Sequence, residues 1–176
     1  MRFLGLCSLV LACGCQGPAA TLDLDQPRDG ATRRTLLLES NRAMYGVGRD
    51  GVARVVVEFP LPGARHGSRF VIYLRIPDKS GLHRIGDSLP DGASVSGFMA
   101  STSGRERGVT VFVSGEIDTD RPSGSRKSGR MRLKCADGST MAGRFKARRE
   151  DLDVRDFERR KYASEVAALT RTQRGG

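Results

Sequence analysis

No stretch of this chain approaches the run of about twenty apolar residues that a membrane-spanning helix needs, so any attachment to a bilayer has to be covalent or peripheral. Histidine is almost absent: only His66 and His83 occur, both near glycines, and nothing has the ligand spacing of a metal site. Cysteine is scarce outside the N-terminus. Of Cys7, Cys13, Cys15 and Cys135, only the last lies in the body of the chain, which excludes a disulfide framework. No serine sits in a G-x-S-x-G elbow, and the carboxylates are scattered, so neither a nucleophile nor a general acid and base couple is marked. Gly46-Val47-Gly48-Arg49-Asp50-Gly51 has the G-x-G-x-x-G spacing, but a strand-like run, VARVVVEF, follows it instead of the helix that would hold a pyrophosphate. No catalytic residue, metal or cofactor is expected. The one enzyme class left open is a hydrolase whose Asp or Glu residues converge only in the fold.

What is present begins with an address. Arg2 is followed by a short apolar run, FLGLCSLVLA, ending in small residues and the pair Cys13 and Cys15, the pattern of a secretory signal. Val10-Leu11-Ala12-Cys13, and equally Leu11-Ala12-Cys13-Gly14-Cys15, resemble the lipobox of bacterial lipoproteins. The resemblance implies cleavage before the modified cysteine, Cys13 or Cys15, and attachment of acyl chains to it. It covers the targeting segment alone and transfers no activity to the rest of the chain. The residue after the modified cysteine would be Gly14 or Gln16 rather than Asp, which by resemblance to Gram-negative sorting patterns implies the outer membrane if the host is Gram-negative.

Taking residues 1–14 as the signal leaves about 160 residues, enough for one domain with a core of its own. Residues 15–34 are polar and rich in small residues and read as a flexible tether. From Thr35 the pattern is repeatedly period two, which predicts a β domain over 35–149. Strands are expected over Thr35–Glu39, over Met44–Gly48 and Val52–Phe59 around the Asp50-Gly51 turn, and over Phe70–Ile76. Further strands are expected over Leu82–Ile85, Ala93–Ala100 and Val109–Ile117, the last with a bulge or close approach at Gly115. Asp120–Gly129 reads as an exposed loop. Residues 150–172 carry acids early and bases late without Gly or Pro, which predicts a helix; Tyr162, Val166 and Leu169 form the stripe that packs it on the sheet. The fold expected is mainly β, an antiparallel β-sandwich or open barrel with one C-terminal α-helix.

Register decides where the charge goes. A two-residue turn at Asp137-Gly138 would mix apolar and basic faces, whereas a three-residue loop, Ala136-Asp137-Gly138, opposes Leu133 to Met141 and Met131 to Gly143. The three-residue loop puts Arg130, Arg132, Lys134, Arg144, Lys146 and Arg148 together on the face opposite the core. Residues 120–149 hold ten bases against two acids, eight of the chain's formal ten positive charges. Arginine outnumbers lysine 25 to 5 overall, so placement weighs more than number. A concentrated positive face suits anionic lipid or lipopolysaccharide head groups, then an acidic envelope protein or glycan, and last nucleic acid, for which the interleaved aromatics are missing. The competing reading is that these cations only solvate the outside of a hairpin and discourage edge-to-edge pairing. Together these features suggest a lipid-anchored envelope protein with a binding or structural role, and as alternatives a soluble periplasmic or secreted binder of acidic ligands or an envelope hydrolase.

Overall fold

The computed structural model describes residues 17–27, 32–61, 68–103 and 106–171. The lipobox-like segment with Cys13 and Cys15, and His66, lie outside the described residues. The chain is mainly β, with a short helical segment at its C-terminal end. The strands are β1 (Ala20–Pro27), β2 (Arg33–Ser40), β3 (Arg42–Val47), β4 (Val52–Pro60), β5 (Arg69–Pro77), β6 (Gly81–Arg84), β7 (Ser96–Ser103), β8 (Glu106–Thr119), β9 (Arg126–Cys135) and β10 (Thr140–Arg149).

All ladders are antiparallel except one. Successive pairing through β3, β4, β5, β7, β8, β9 and β10 returns to its start, because Arg148 and Arg149 of β10 pair in parallel with Met44 and Tyr45 of β3. The sheet therefore curls into a ring, the barrel alternative of the expected fold. The same edge of β10 also carries β1, over Thr140–Phe145, and β2 extends the sheet from β1. Alternation along the strands sends Val55, Val57, Phe59, Ile72, Leu74, Met131, Leu133 and Phe145 inward to one core. Each such side chain contributes roughly 1.5–3 kcal/mol by leaving water.

The expected tether is the main correction. Residues 20–27 are not free: β1 inserts Leu22 and Leu24, both fully buried, into the core, and β2 adds Leu38. Ala20, Leu22 and Leu24 alternate, and the polar residues between them occupy the outer face, which is why the segment looks featureless by composition. The exposed loop is also shorter than expected. Strand β9 begins at Arg126, and Lys127 is buried within it. In β8 the register shift falls between Phe112 and Ser114, whereas Gly115, at φ +135°, is the close approach: a Cβ there would lie 2.2 Å from the Arg132 carbonyl oxygen.

The C-terminal segment is not one uninterrupted helix. Helix α1 (Asp151–Asp156) runs into a π-helical turn (Phe157–Lys161), the backbone breaks at Tyr162 (φ −138°, ψ 34°), and α2 (Ala163–Arg171) follows. Residues five apart on an α-helix are separated by about 140° and cannot share a face. The wider turn and the break let Phe157 and Tyr162 stack at 4.5 Å and lie together on the sheet. Their rings join Tyr73 and Phe98 from β5 and β7, with Met44, Val56, Val71 and Val154, in a second apolar cluster outside the barrel. Val166 and Leu169 pack against it as expected.

Candidate functional site

The β9–β10 hairpin turns through the predicted three residues. Cys135 N–H donates to the Ser139 carbonyl at 2.8 Å, Gly138 N–H to the Cys135 carbonyl at 3.1 Å, and Asp137 Oδ1 accepts from Ser139 N–H at 2.9 Å. Gly138 supplies the left-handed residue at φ +83°. Leu133 opposes Met141 and Met131 opposes Gly143. Arg130, Arg132, Lys134, Arg144, Lys146 and Arg148 accordingly all lie exposed on the outer face, and none is ion-paired among the described residues.

Neighbouring strands divide these six. Directly opposed residues share a face, so Glu116 and Asp118 of β8 stand beside Arg132 and Arg130. On the other side Asp23 and Asp25 of β1 oppose Ala142 and Thr140, in the rows that hold Arg132 and Lys134. Carboxylates thus border the loop-proximal half of the patch. At the opposite end the cations accumulate: Arg126 opposes Arg148, and Lys146 lies between Arg144 and Arg148 on the same face of β10. Here the surface sinks into a concavity of about 370 Å³ lined by Arg42, Arg126, Lys146 and Arg148, with Glu150 as its acid and Gly17, Pro18 and Ala19 along one side. Lys146 N–H donates to the Ala19 carbonyl at 2.7 Å, which fastens the N-terminal segment to the rim. Of the four cations only Arg42 has a carboxylate partner among the described residues, Glu58 at 3.6 Å.

Sequence reasoning missed Arg42 and Arg126. Arg126 was legible, since it continues the 130, 132, 134 alternation once the hairpin is extended. Arg42 was not, because only the parallel junction between β3 and β10 brings it there.

The remaining candidates resolve into structural roles. The G-x-G-x-x-G segment is the β3–β4 turn, in which Gly51 takes φ +70° and Asp50 Oδ1 accepts from Val52 N–H. Two carboxylates converge on Arg54 outside the barrel, Asp50 at 2.5 Å and Glu158 at 3.0 Å, and the Tyr73 hydroxyl donates to Glu158. Arg54 holds the Asp50 carboxyl below its usual range, and burial beside Glu158 pushes the Tyr73 phenol well up. Arg75 is buried on the same face, 2.6 Å from Asp91.

His83 points into the barrel with Nε2 at 3.2 Å from Thr119 Oγ1 and 3.3 Å from the Lys79 carbonyl; burial, assisted by nearby Lys127, lowers its pKa. Cys135 is a free, buried core residue whose thiol is pushed up to about 12 by burial, as an unreactive cysteine should be. Among the described residues no group of His, Cys, Asp or Glu could hold a metal ion, and no helix is long and apolar enough to cross a membrane. Compared with protein-family models, curated proteins and solved structures, the chain matches none.

Proposed function

We propose that this chain is a lipid-anchored protein of the bacterial cell envelope, a non-enzymatic binding or structural module whose basic hairpin face meets anionic partners. The anchor is Cys13 or Cys15, and in a Gram-negative host the residue after it directs the protein to the outer membrane. The observation that carries the binding role is the set of six exposed cations on one face of β9 and β10, unpaired among the described residues, since a concentrated face of one sign attracts partners of the other. Supporting the non-enzymatic reading, the carboxylates that converge outside the barrel are tied to Arg54 and to the Tyr73 hydroxyl rather than left to face a ligand.

The test is the intact mass and membrane partition of the protein from a bacterial host, for the wild type, Cys13→Ala and Cys15→Ala. The expected result is a cleaved chain with an acyl-sized mass gain that only one of the two substitutions abolishes. A cleaved but unmodified, soluble chain would replace this reading with that of a periplasmic or secreted binder of acidic ligands. An uncleaved, soluble chain would remove export altogether and bring nucleic acid forward as the partner of the basic face.

A further inference from the structure

We infer that the concavity between Arg42, Arg126, Lys146 and Arg148 is a phosphate site, and that the phosphate it takes is the head group of an anionic lipid in the membrane holding the chain's own anchor. The inference rests on the anchored reading above and adds to it a pocket, a ligand and an orientation. Arg132 and Lys134 also line a hollow, of about 410 Å³, but Asp23 and Asp25 line it with them, whereas the first hollow gathers four cations against one carboxylate. Arg126, Lys146 and Arg148 face it without carboxylate partners among the described residues, against the single acid Glu150. Two guanidinium forks and an ammonium group offer the donor set that phosphate oxygens accept best.

Chain length then places the membrane. Gly17 lines the same hollow, and Ala19 is fixed to Lys146 by its hydrogen bond. Cys15 precedes Gly17 by two residues and Cys13 precedes it by four. At roughly 3.5 Å per extended residue, the acylated Cα lies within about 7 or about 14 Å of Gly17. Head-group phosphates at the anchor are therefore within about one to two Debye lengths of the hollow at physiological salt. The anchor makes the second contact intramolecular, so an individually weak phosphate site is occupied through a high effective concentration. The carboxylate-bordered half of the patch, Arg130, Arg132 and Lys134, sits farther along the hairpin toward the Ala136–Gly138 loop and does not line the first hollow.

The experiment uses residues 13–176, the mature chain, with Cys13→Ala and Cys15→Ala combined, so that lipid binding is read with neither acyl chains nor the apolar signal run. It is floated with vesicles of phosphatidylcholine alone and with vesicles that also contain phosphatidylglycerol. Two triple variants remove equal charge from exposed positions: Arg126→Gln, Lys146→Gln, Arg148→Gln in the hollow, and Arg130→Gln, Arg132→Gln, Lys134→Gln outside it. At about fivefold per cation near an anionic surface, the first should weaken binding to the phosphatidylglycerol vesicles roughly a hundredfold. The second should cost less than about tenfold, because Asp118 and Asp23, neither of them ion-paired among the described residues, stand in its rows and repel the anionic surface. Equal losses would overturn the site, as would binding that is the same on both kinds of vesicle. Calorimetric titration with inorganic phosphate separates the sources: affinity per phosphate matching that for the vesicles would assign the hollow to a free phosphate and overturn the lipid. The anchor itself is scored by intact mass and the pocket by the contrast between the triples, so each can fail without the other.

Discussion

Lys127 has no exposed surface, yet it carries an ammonium group whose carboxylate partner, Asp78, lies 3.2 Å away with about a third of its side chain in water. The two ends of this ion pair are therefore not equivalent. Removing the acid strands a charge where water cannot reach it, which costs about 3–5 kcal/mol. Removing the base leaves a carboxylate that can hydrate in place, and methionine fills much of the volume the lysine stem occupied. Asp78→Ala should accordingly destabilise the protein by about 3–5 kcal/mol and Lys127→Met by less than about 2 kcal/mol, measured by urea denaturation. The opposite order would mean that Lys127 finds other partners in the barrel. This residue also shows a limit of sequence reading. In the run DRPSGSRKSG it looks like one more solvated base, and only the pairing of Lys127 with Ala147 turns it inward.

Among the elements, the β9–β10 hairpin was the most legible, because Met131, Leu133 and Cys135 alternate with bases on one arm and Met141, Gly143 and Phe145 do so on the other. Two such patterns facing each other allow only one register that keeps both apolar sets on one side. Strand β5 was legible for the same reason, with apolar residues on both faces because one face meets the barrel core and the other meets the aromatic cluster. The C-terminal segment was legible as helical but not as broken, since its acid-to-base gradient is blind to the five-residue spacing of Phe157 and Tyr162. That spacing is what docks the segment. Phe157→Ala should cost about 3–5 kcal/mol and loosen residues 151–171 from the sheet. Hydrogen exchange is the suitable measurement: faster exchange confined to that segment is expected, while amides of β5 and β9 keep their protection. Uniform acceleration through the barrel would instead show that the segment is needed for the ring of strands to persist.

At the scale of the whole molecule, the ordered unit begins well before Thr35. A chain starting there lacks β1, hence Leu22 and Leu24, and leaves the edge of β10 over Thr140–Phe145 without its partner. Such a truncation should lose the cooperative thermal transition that a chain starting at Gly17 retains, as followed by circular dichroism. If the shorter chain melts with the same midpoint, β1 is an accessory to the barrel and not part of it. The charge distribution was half legible in the same sense. The bases of residues 120–149 are contiguous in sequence and easily counted, whereas the carboxylates beside them arrive from β1 and β8, which no local window sees.

The edge that β10 divides between β1 and β3 also sets an order of events in time. Synthesis presents β1 first, but Ala20 pairs with Phe145 and Met44 with Arg148, so neither contact exists until the last strand has been made. Such distant pairings slow folding, because the entropy of closing a long loop is spent before the contacts that reward it can form. Closure of the ring thus waits for the C-terminal strand, while the β1–β2 hairpin and the β3–β4–β5 ladders can form ahead of it.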